Sequence, residues 1–276
     1  MRILNTMAAR AIPLVPRSLI RKISHRYIAG ATLAEALNRV RSLHAAGYCT
    51  TLDVLGETAA SPAEVETITR EYLTVIEALH VSDIRAELSI KPSALGLLFD
   101  EAGCKQHILR ILNAAATQGA ATCIDMEDVA CTQKTLKLFA EVESAGADVG
   151  IALQAYLRRT YDDIVALQHR GSRVRICKGI YAEADVHLVA GASVDRGAIN
   201  GHFMRHVSST LQAGSFVGVA THDEALIDSL IAWIRREQSE PSRFEFQMLL
   251  GVGEPLRERL RAMGFQVRVY VPYGHG

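Results

Sequence analysis

The 276-residue chain is 49% hydrophobic, which is enough to bury a large core and excludes a disordered or collagen-like protein. Its 30 Lys and Arg residues balance its 30 Asp and Glu residues, so no excess positive charge favours nucleic acid as the main partner. We therefore expect a small-molecule ligand.

The cysteines and the apolar runs indicate a cellular setting. Five cysteines, an odd number without a C-x-x-C pair, favour reduced thiols in a cytoplasmic compartment over a disulfide framework or a zinc site. No stretch approaches the roughly 18 apolar residues that a membrane-spanning helix needs, so we expect a soluble protein. Residues 1–30 carry basic but no acidic side chains, which predicts a solvated first helix or, alternatively, a membrane-surface or targeting segment.

Eight short segments have the composition of buried strands, because each is apolar or β-branched and ends at a polar or glycine-containing turn. In chain order they are 49–54, 86–90, 121–125, 149–154, 174–178, 216–221, 244–249 and 266–271. Between them lie stretches with helical periodicity. The clearest, 62–79, follows the S-x-x-E pattern of Ser61 and Glu64 and has Pro62 at its first position, which predicts a capping box.

The spacing of the strands leaves room for one crossover helix after each, which predicts an α/β protein with a (βα)8 barrel. A doubly wound sheet is the alternative, but no G-x-G-x-x-G follows the first strand. We expect a helical segment at 1–45 and the barrel at 46–276. Because little chain follows strand eight, the eighth barrel helix is expected to be missing, leaving the outward residues Val269 and Val271 exposed.

Six predicted strands carry polar side chains at the end where barrel enzymes place their active sites. They include Lys91, Asp125, Gln154, Arg175, Lys178, Thr221, His222 and Tyr270. Because Arg175 and Lys178 are three residues apart on one strand, at most one is expected to enter the barrel. An inward arginine suits an anionic or electron-accepting ring, whereas Lys91 suits a carboxylate. A buried polar ring that only closes the barrel is the structural alternative.

Other chemistries receive less support from the sequence. No cluster has zinc-ligand spacing, and neither a nucleophile elbow nor a P-loop is present. A lysine at a strand end is compatible with a Schiff-base lyase of the aldolase type, with Lys91 or Lys178 as the nucleophile. His222 is expected to begin the helix after strand six, whose N-terminal end suits a pyrophosphate; a plain helix-cap residue is the alternative.

The ordered strand-end motifs resemble those of the flavin-dependent proline dehydrogenases, including the dehydrogenase domain of the bifunctional proline-utilisation protein. The motifs lie at 52–57, 89–95, 124–125, 175–181, 220–222, 244–249 and 268–272. The resemblance implies a distorted (βα)8 barrel with FAD at the C-terminal ends of the strands. It also implies hydride transfer from L-proline to the flavin, giving 1-pyrroline-5-carboxylate, with a membrane quinone as the electron acceptor.

The resemblance further implies roles for individual residues. The catalytic group would be Lys91, Asp125, Arg175 and Tyr270, with Arg175 near the reactive nitrogen of the flavin. FAD would be bound by Asp125, Gln154, Arg175, Lys178, Gly179, Thr221 and His222. Proline would be bound by Lys91, Tyr181, Leu249 and Tyr270, with Lys91 on its carboxylate.

One departure from the family pattern affects substrate binding. The family carries a tyrosine and two adjacent arginines on the helix after the Tyr270 motif, and the sequence stops before them. Glu57 resembles the glutamate that pairs with one of these arginines. A truncated relic that binds FAD without turnover is therefore an alternative to an active dehydrogenase.

Overall fold

The computed structural model describes residues 26–56, 58–168 and 171–274, and within them eight parallel strands close into a barrel. The strands are β1 (Cys49–Val54), β2 (Glu87–Ile90), β3 (Thr122–Ile124), β4 (Gly150–Gln154), β5 (Arg173–Cys177), β6 (Val217–Ala220), β7 (Phe244–Leu249) and β8 (Val267–Tyr273). Each strand pairs with its neighbours in sequence, and β1 closes the ring on β8. The predicted (βα)8 barrel is confirmed, and the doubly wound sheet is excluded.

Eight α-helices lie within the described residues. They are α1 (Leu33–Ala45), α2 (Pro62–Val81), α3 (Glu101–Gln118), α4 (Val129–Ser144), α5 (Thr160–Gln168), α6 (Asn200–Gln212), α7 (Glu224–Arg236) and α8 (Glu254–Ala262). Short 3-10 turns precede α6 and β7, and a third follows β2. The helices pack their apolar faces on the outside of the barrel, which places the hydrophobic core between strands and helices.

The capping box predicted for α2 forms only in part. The Ser61 hydroxyl accepts from the Glu64 N–H at 3.3 Å, as expected, but the Glu64 carboxylate accepts from the Ala60 N–H at 2.8 Å and not from Ser61. A complete box occurs instead at α1, where Thr32 and Glu35 bond each other reciprocally. The same four-residue pattern therefore caps both helices, but Glu35 accepts from the N–H groups of both Ala31 and Thr32, whereas Glu64 accepts from that of Ala60 and not from its N-cap residue.

The outer face of β8 is covered, so the expectation that Val269 and Val271 are exposed is wrong. Both side chains are fully buried. Helix α1 packs against β1 and β8, and its buried face consists of Ala36, Leu37, Val40 and Leu43. Because α1 precedes β1 and barrel closure pairs β1 with β8, a helix before the first strand reaches the outside of the last one.

Some expectations concern residues outside the described ranges. The basic segment up to residue 25 and Glu57 lie there, and the division into 1–45 and 46–276 stays a prediction. None of the helices in the described part of the chain is long and apolar enough to cross a membrane. All five cysteines are unpaired, as expected of reduced thiols.

The inside of the barrel is polar rather than filled with branched apolar side chains. The guanidinium of Arg175 on β5 contacts Glu87 on β2, and Arg268 on β8 contacts Glu245 on β7. Because β2 and β5 are not neighbours in the sheet, the first contact crosses the interior. A network of buried ion pairs thus lies inside the barrel, beneath its C-terminal mouth.

Candidate active site

Arg175 lies at the centre of the polar interior, with only 7% of its surface exposed. Its Nε donates to Gln247 Oε1 at 2.7 Å, its Nη1 donates to Asp125 Oδ1 at 2.6 Å, and its Nη2 donates to Glu87. A guanidinium carries five N–H donors, so two remain for a ligand. The inward direction expected of Arg175 is confirmed, and Lys178 lies beyond the end of β5.

Asp125 is held on its other side by Tyr270. The Tyr270 hydroxyl donates to Asp125 Oδ2 at 2.7 Å, and Ser89 donates to the same oxygen. Burial, together with the nearby Asp125 and Asp53 carboxylates, raises the pKa of Tyr270 well above its usual value. Tyr270 therefore stays protonated and fixes the carboxylate that orients Arg175.

Lys91 stands next to this group and forms an ion pair with Asp53 at the end of β1. Its Nζ also lies 3.5 Å from the Val54 carbonyl oxygen. Burial raises the pKa of Asp53, and the Lys91 ammonium offsets part of that rise. The Lys91 side chain is partly exposed while Asp53 is buried, so Asp53 holds the ammonium at the floor of the mouth.

A second polar cluster forms where β5 and β6 end. Lys178 Nζ donates to Asp223 Oδ2 at 2.6 Å, and Asn200 Nδ2 donates to the same oxygen at 3.1 Å. Although burial alone would raise the pKa of Asp223, hydrogen bonds from Lys178, the Leu226 N–H and Asn200 lower it to about 2. Asp223 is therefore ionised and keeps Lys178 oriented.

Helix α7 begins after Asp223, not at His222 as expected. The Asp223 carboxylate caps the helix by accepting from the Leu226 N–H at 3.0 Å, and Thr221 Oγ1 accepts from the Asp223 N–H at 3.2 Å. His222 Nε2 instead accepts from the Leu249 N–H at 2.9 Å, which ties β6 to the end of β7. Burial lowers the pKa of His222, so the ring is neutral and keeps this acceptor.

The rim contains a required glycine and several exposed apolar residues. At Gly179, with φ of +99°, a β-carbon would lie 2.3 Å from the Tyr156 ring, so only glycine fits. Tyr181 is 40% exposed and Leu249 is 45% exposed, beside the more exposed Ile180. Exposed apolar side chains at the rim of a barrel favour a ligand with apolar surface.

Gln154 lies deeper, at the end of β4. It is almost completely buried, and its Nε2 donates to the Glu127 carbonyl oxygen at 2.7 Å. The Glu127 carboxylate in turn accepts from the Ser93 N–H at 2.8 Å. Gln154 thus links the loop after β3 to the loop after β2.

Several of the sequence-predicted residues are brought together. Arg175 and Tyr270 both bond Asp125 inside the barrel mouth, and Lys91 lies there on Asp53. Lys178 and Thr221 both bond Asp223 at the β5–β6 rim, whereas His222 bonds the Leu249 N–H. Sequence reasoning missed Glu87, although it alternates with Ser89 on the otherwise apolar strand β2 and with Lys91, the residue that follows the strand. That period of two places all three side chains on the inner face.

Two other chemistries lack support in the structure. Lys91 and Lys178 are each paired with a carboxylate, so neither is the unpaired, desolvated amine that a Schiff-base lyase uses. Among the described residues, no group of three or more His, Cys, Asp or Glu side chains is arranged to hold a metal ion.

Comparisons with known proteins show which family the chain resembles. The sequence pattern of the family described as proline dehydrogenase matches residues 36–276. Proline dehydrogenase 1 of Bacillus subtilis (strain 168) is 34% identical over 251 residues, covering 91% of this chain and 82% of that protein. The proline dehydrogenase of Deinococcus radiodurans is 34% identical over 257 residues, with the same coverage.

Solved structures share the fold. Proline utilization A (PutA) from Bdellovibrio bacteriovorus, inactivated by N-propargylglycine, matches 92% of this chain with a TM-score of 0.84 and 20% identity. This chain spans 31% of the length of that larger protein. Since the family pattern and two sequence relatives agree over most of the chain, the protein belongs to the proline dehydrogenase family of enzymes, whose substrate is proline.

Proposed function

We propose that the protein is an FAD-dependent enzyme that oxidises L-proline to 1-pyrroline-5-carboxylate. The observation that supports this most directly is the buried Arg175, whose three hydrogen bonds leave two N–H donors unused, together with the partly exposed ammonium of Lys91 after the end of β2. The fixed N–H donors of Arg175 suit the edge of a ring cofactor, and the separate ammonium of Lys91 suits the carboxylate of a substrate.

The residues of the rim fit a flavin nucleotide. The Oδ1 atom of Asn200 is buried without a hydrogen-bond partner among the described residues, and a hydroxyl or N–H of a bound nucleotide would satisfy it. Lys178, whose ammonium Asp223 keeps oriented, would pair with the diphosphate. FAD, when bound, supplies the two-electron acceptor for the reaction. Gly179, Thr221 and His222 would complete its binding site.

The side chains of the protein itself would position the flavin and the substrate and would pair with their charged groups. Arg175 would donate to the edge of the flavin ring, with Gln154 on another edge and Asp125 keeping Arg175 in place. Lys91 would pair with the proline carboxylate. Tyr181, Leu249 and Tyr270 would form the walls around the pyrrolidine ring, which bring the ring carbon next to the nitrogen into position for hydride loss.

The proposal extends to the electron acceptor and the location. We propose that the reduced enzyme passes its electrons to a membrane quinone and that it works in the cytoplasm, at times bound to the inner face of the membrane. Cosedimentation with vesicles of bacterial lipids in the presence of proline tests this. A protein that stays in the supernatant and reduces only dissolved quinones would contradict the membrane part.

The main experiment follows the absorbance of the purified protein. The protein should be yellow, and anaerobic L-proline should bleach the flavin bands, giving a product that reacts as 1-pyrroline-5-carboxylate. The Arg175→Lys variant keeps the charge but not the planar set of donors, so its bleaching rate should fall at least tenfold. Bound FAD that proline does not bleach would contradict the catalytic proposal and favour the non-catalytic alternative.

A further inference from the structure

Arg175 is surrounded by more negative charge than it can neutralise. Its Nη1 contacts the Asp125 carboxylate and its Nη2 contacts the Glu87 carboxylate, so one guanidinium meets two anions. The next buried pair, Arg268 with Glu245, is already balanced. Arg175 and its two direct carboxylate partners thus sum to one net negative charge, although Arg175 is the group proposed to face the flavin.

The two carboxylates are not equivalent. Asp125 accepts from the hydroxyls of Tyr270 and Ser89 in addition to Arg175, which disperses its charge over several donors. Glu87 has a single hydroxyl partner, Thr51, at 2.9 Å. Glu87 is therefore the carboxylate whose charge acts most directly on the guanidinium.

Glu87 is ionised at neutral pH. Burial alone would raise the pKa of this carboxyl group, but Arg175, Arg268 and the Thr51 hydroxyl together bring it below its usual value. The alternative, a protonated Glu87 that leaves Arg175 with one counter-ion, therefore disagrees with the charges around it.

We propose that Glu87 is a positioning residue that sets the electron affinity of the bound flavin, by cancelling part of the Arg175 charge and fixing which N–H groups stay free. The proposal rests on the proposed FAD-dependent function. Reduction adds negative charge to the ring, and nearby positive charge stabilises the reduced form. The negative charge of the Glu87 carboxylate opposes that stabilisation and therefore lowers the reduction potential of the bound flavin.

Two neutral variants test the charge effect. Glu87→Gln keeps the shape and one acceptor oxygen. Glu87→Ala removes the side chain beside a cavity of about 20 Å³ that Glu87 helps to line, where water can take its place. Glu87→Asp keeps the charge and serves as the conservative variant. Glu141→Gln removes an exposed carboxylate paired with Lys105 at 2.9 Å and serves as the distant control.

The measurement is the midpoint potential of the bound flavin by spectroelectrochemical titration, with the melting temperature recorded for each variant. We expect both neutral variants to favour the reduced form at least tenfold, which is about 30 mV for a two-electron couple. Glu87→Asp and Glu141→Gln should stay near the unsubstituted protein.

The outcomes separate this inference from the proposed function. Flavin that binds normally and keeps its potential in the folded neutral variants would overturn the role of Glu87 and leave the FAD-dependent function standing. A change only in melting temperature would have the same meaning, because a merely structural residue alters stability without altering the potential. An unsubstituted protein that binds no flavin would overturn both.

Discussion

Gln247 on β7 lies directly against the backbone of Gly218 on β6. A β-carbon at position 218 would lie 2.4 Å from Gln247 Nε2, well inside the distance that real atoms tolerate. Gln247 is fixed at both ends, because its Oε1 accepts from Arg175 and its Nε2 donates to Glu245 at 2.8 Å. The absence of a side chain at Gly218 therefore leaves space for Gln247, which links Arg175 to the buried Glu245 carboxylate.

The Gly218→Ala variant tests this link. The added methyl group should displace Gln247 and leave Arg175 and Glu245 each without one partner, which typically costs about 1–3 kcal/mol of unfolding free energy. Proline turnover should fall as well, because Arg175 loses one of its three acceptors. Chemical denaturation and steady-state assays measure the two effects.

Gly201→Ala is the matched control for this substitution. Gly201 lies in α6, and apart from its chain neighbours and the backbone of its own helix no described atom lies within 4 Å of a β-carbon placed there. Alanine in a helix is favoured over glycine by up to about 1 kcal/mol, so this variant should be neutral or more stable. Equal stability of the two variants would show that Gln247 moves without loss.

Helix α1 should contribute to stability through its contact with the outside of the barrel. Val40→Ala removes two methyl groups from a fully buried site and should cost about 2 kcal/mol of unfolding free energy. Val81→Ala, at the end of α2, removes the same groups from a side chain that is 77% exposed and should have little effect. Urea denaturation of both variants measures the two unfolding free energies. If Val40→Ala costs no more than Val81→Ala, α1 adds little to the stability of the core.

The strands were predictable because each is an apolar run that the barrel buries on its outer face. The predicted and observed bounds agree for β1 and β7, and β5 is shifted by one residue, which leaves Lys178 outside the strand. The cover of β8 by α1 was not predictable from local pattern, because it depends on the pairing of the first strand with the last.

The candidate site was predictable only in part. A polar residue at a strand end is visible in the sequence, as Lys91 and Asp125 show. The partners of Arg175 are not visible, because Glu87 lies 88 residues away along the chain and meets it only after the barrel closes. The same reason hides the bond between His222 and the Leu249 N–H.

His206 should make the protein less stable in acid. It is buried in α6, and neither ring nitrogen has a hydrogen-bond partner among the described residues. Burial, with a contribution from His202, lowers its pKa from the ordinary 6.5 to about 4. Between these two values the unfolded chain binds more protons than the folded one, so the unfolding free energy should fall as the pH drops through this window.

The His206→Phe variant measures that contribution. The phenylalanine ring keeps the packing beside Tyr161 and cannot be protonated. Denaturation curves between pH 4 and pH 7.5 should show up to about 3 kcal/mol less acid destabilisation than in the unsubstituted protein. Some pH dependence should remain, because burial also lowers the pKa of His44 and His222. If the unfolding free energies of the two proteins depend on pH in the same way, water reaches the His206 ring.

The ion pair between Lys91 and Asp53 lets substrate binding be separated from stability. Lys91→Met removes the proposed partner of the proline carboxylate, so the proline concentration for half-maximal flavin reduction should rise while FAD stays bound. It also leaves Asp53 buried without its cation, which should cost about 1–3 kcal/mol of unfolding free energy at neutral pH. This cost should shrink as the pH falls and Asp53, whose pKa is already raised by burial, becomes protonated.

The double variant Lys91→Met with Asp53→Asn distinguishes the two roles. Without a buried charge its unfolding free energy should return close to that of the unsubstituted protein, because the neutral amide needs no counter-ion. Its response to proline should stay as weak as in Lys91→Met, since the ammonium is still absent. Asp53→Asn alone should keep the positive charge and weaken proline binding less than the loss of Lys91. If the double variant instead recovers the normal proline response, Lys91 serves to neutralise Asp53, and another group binds the substrate carboxylate.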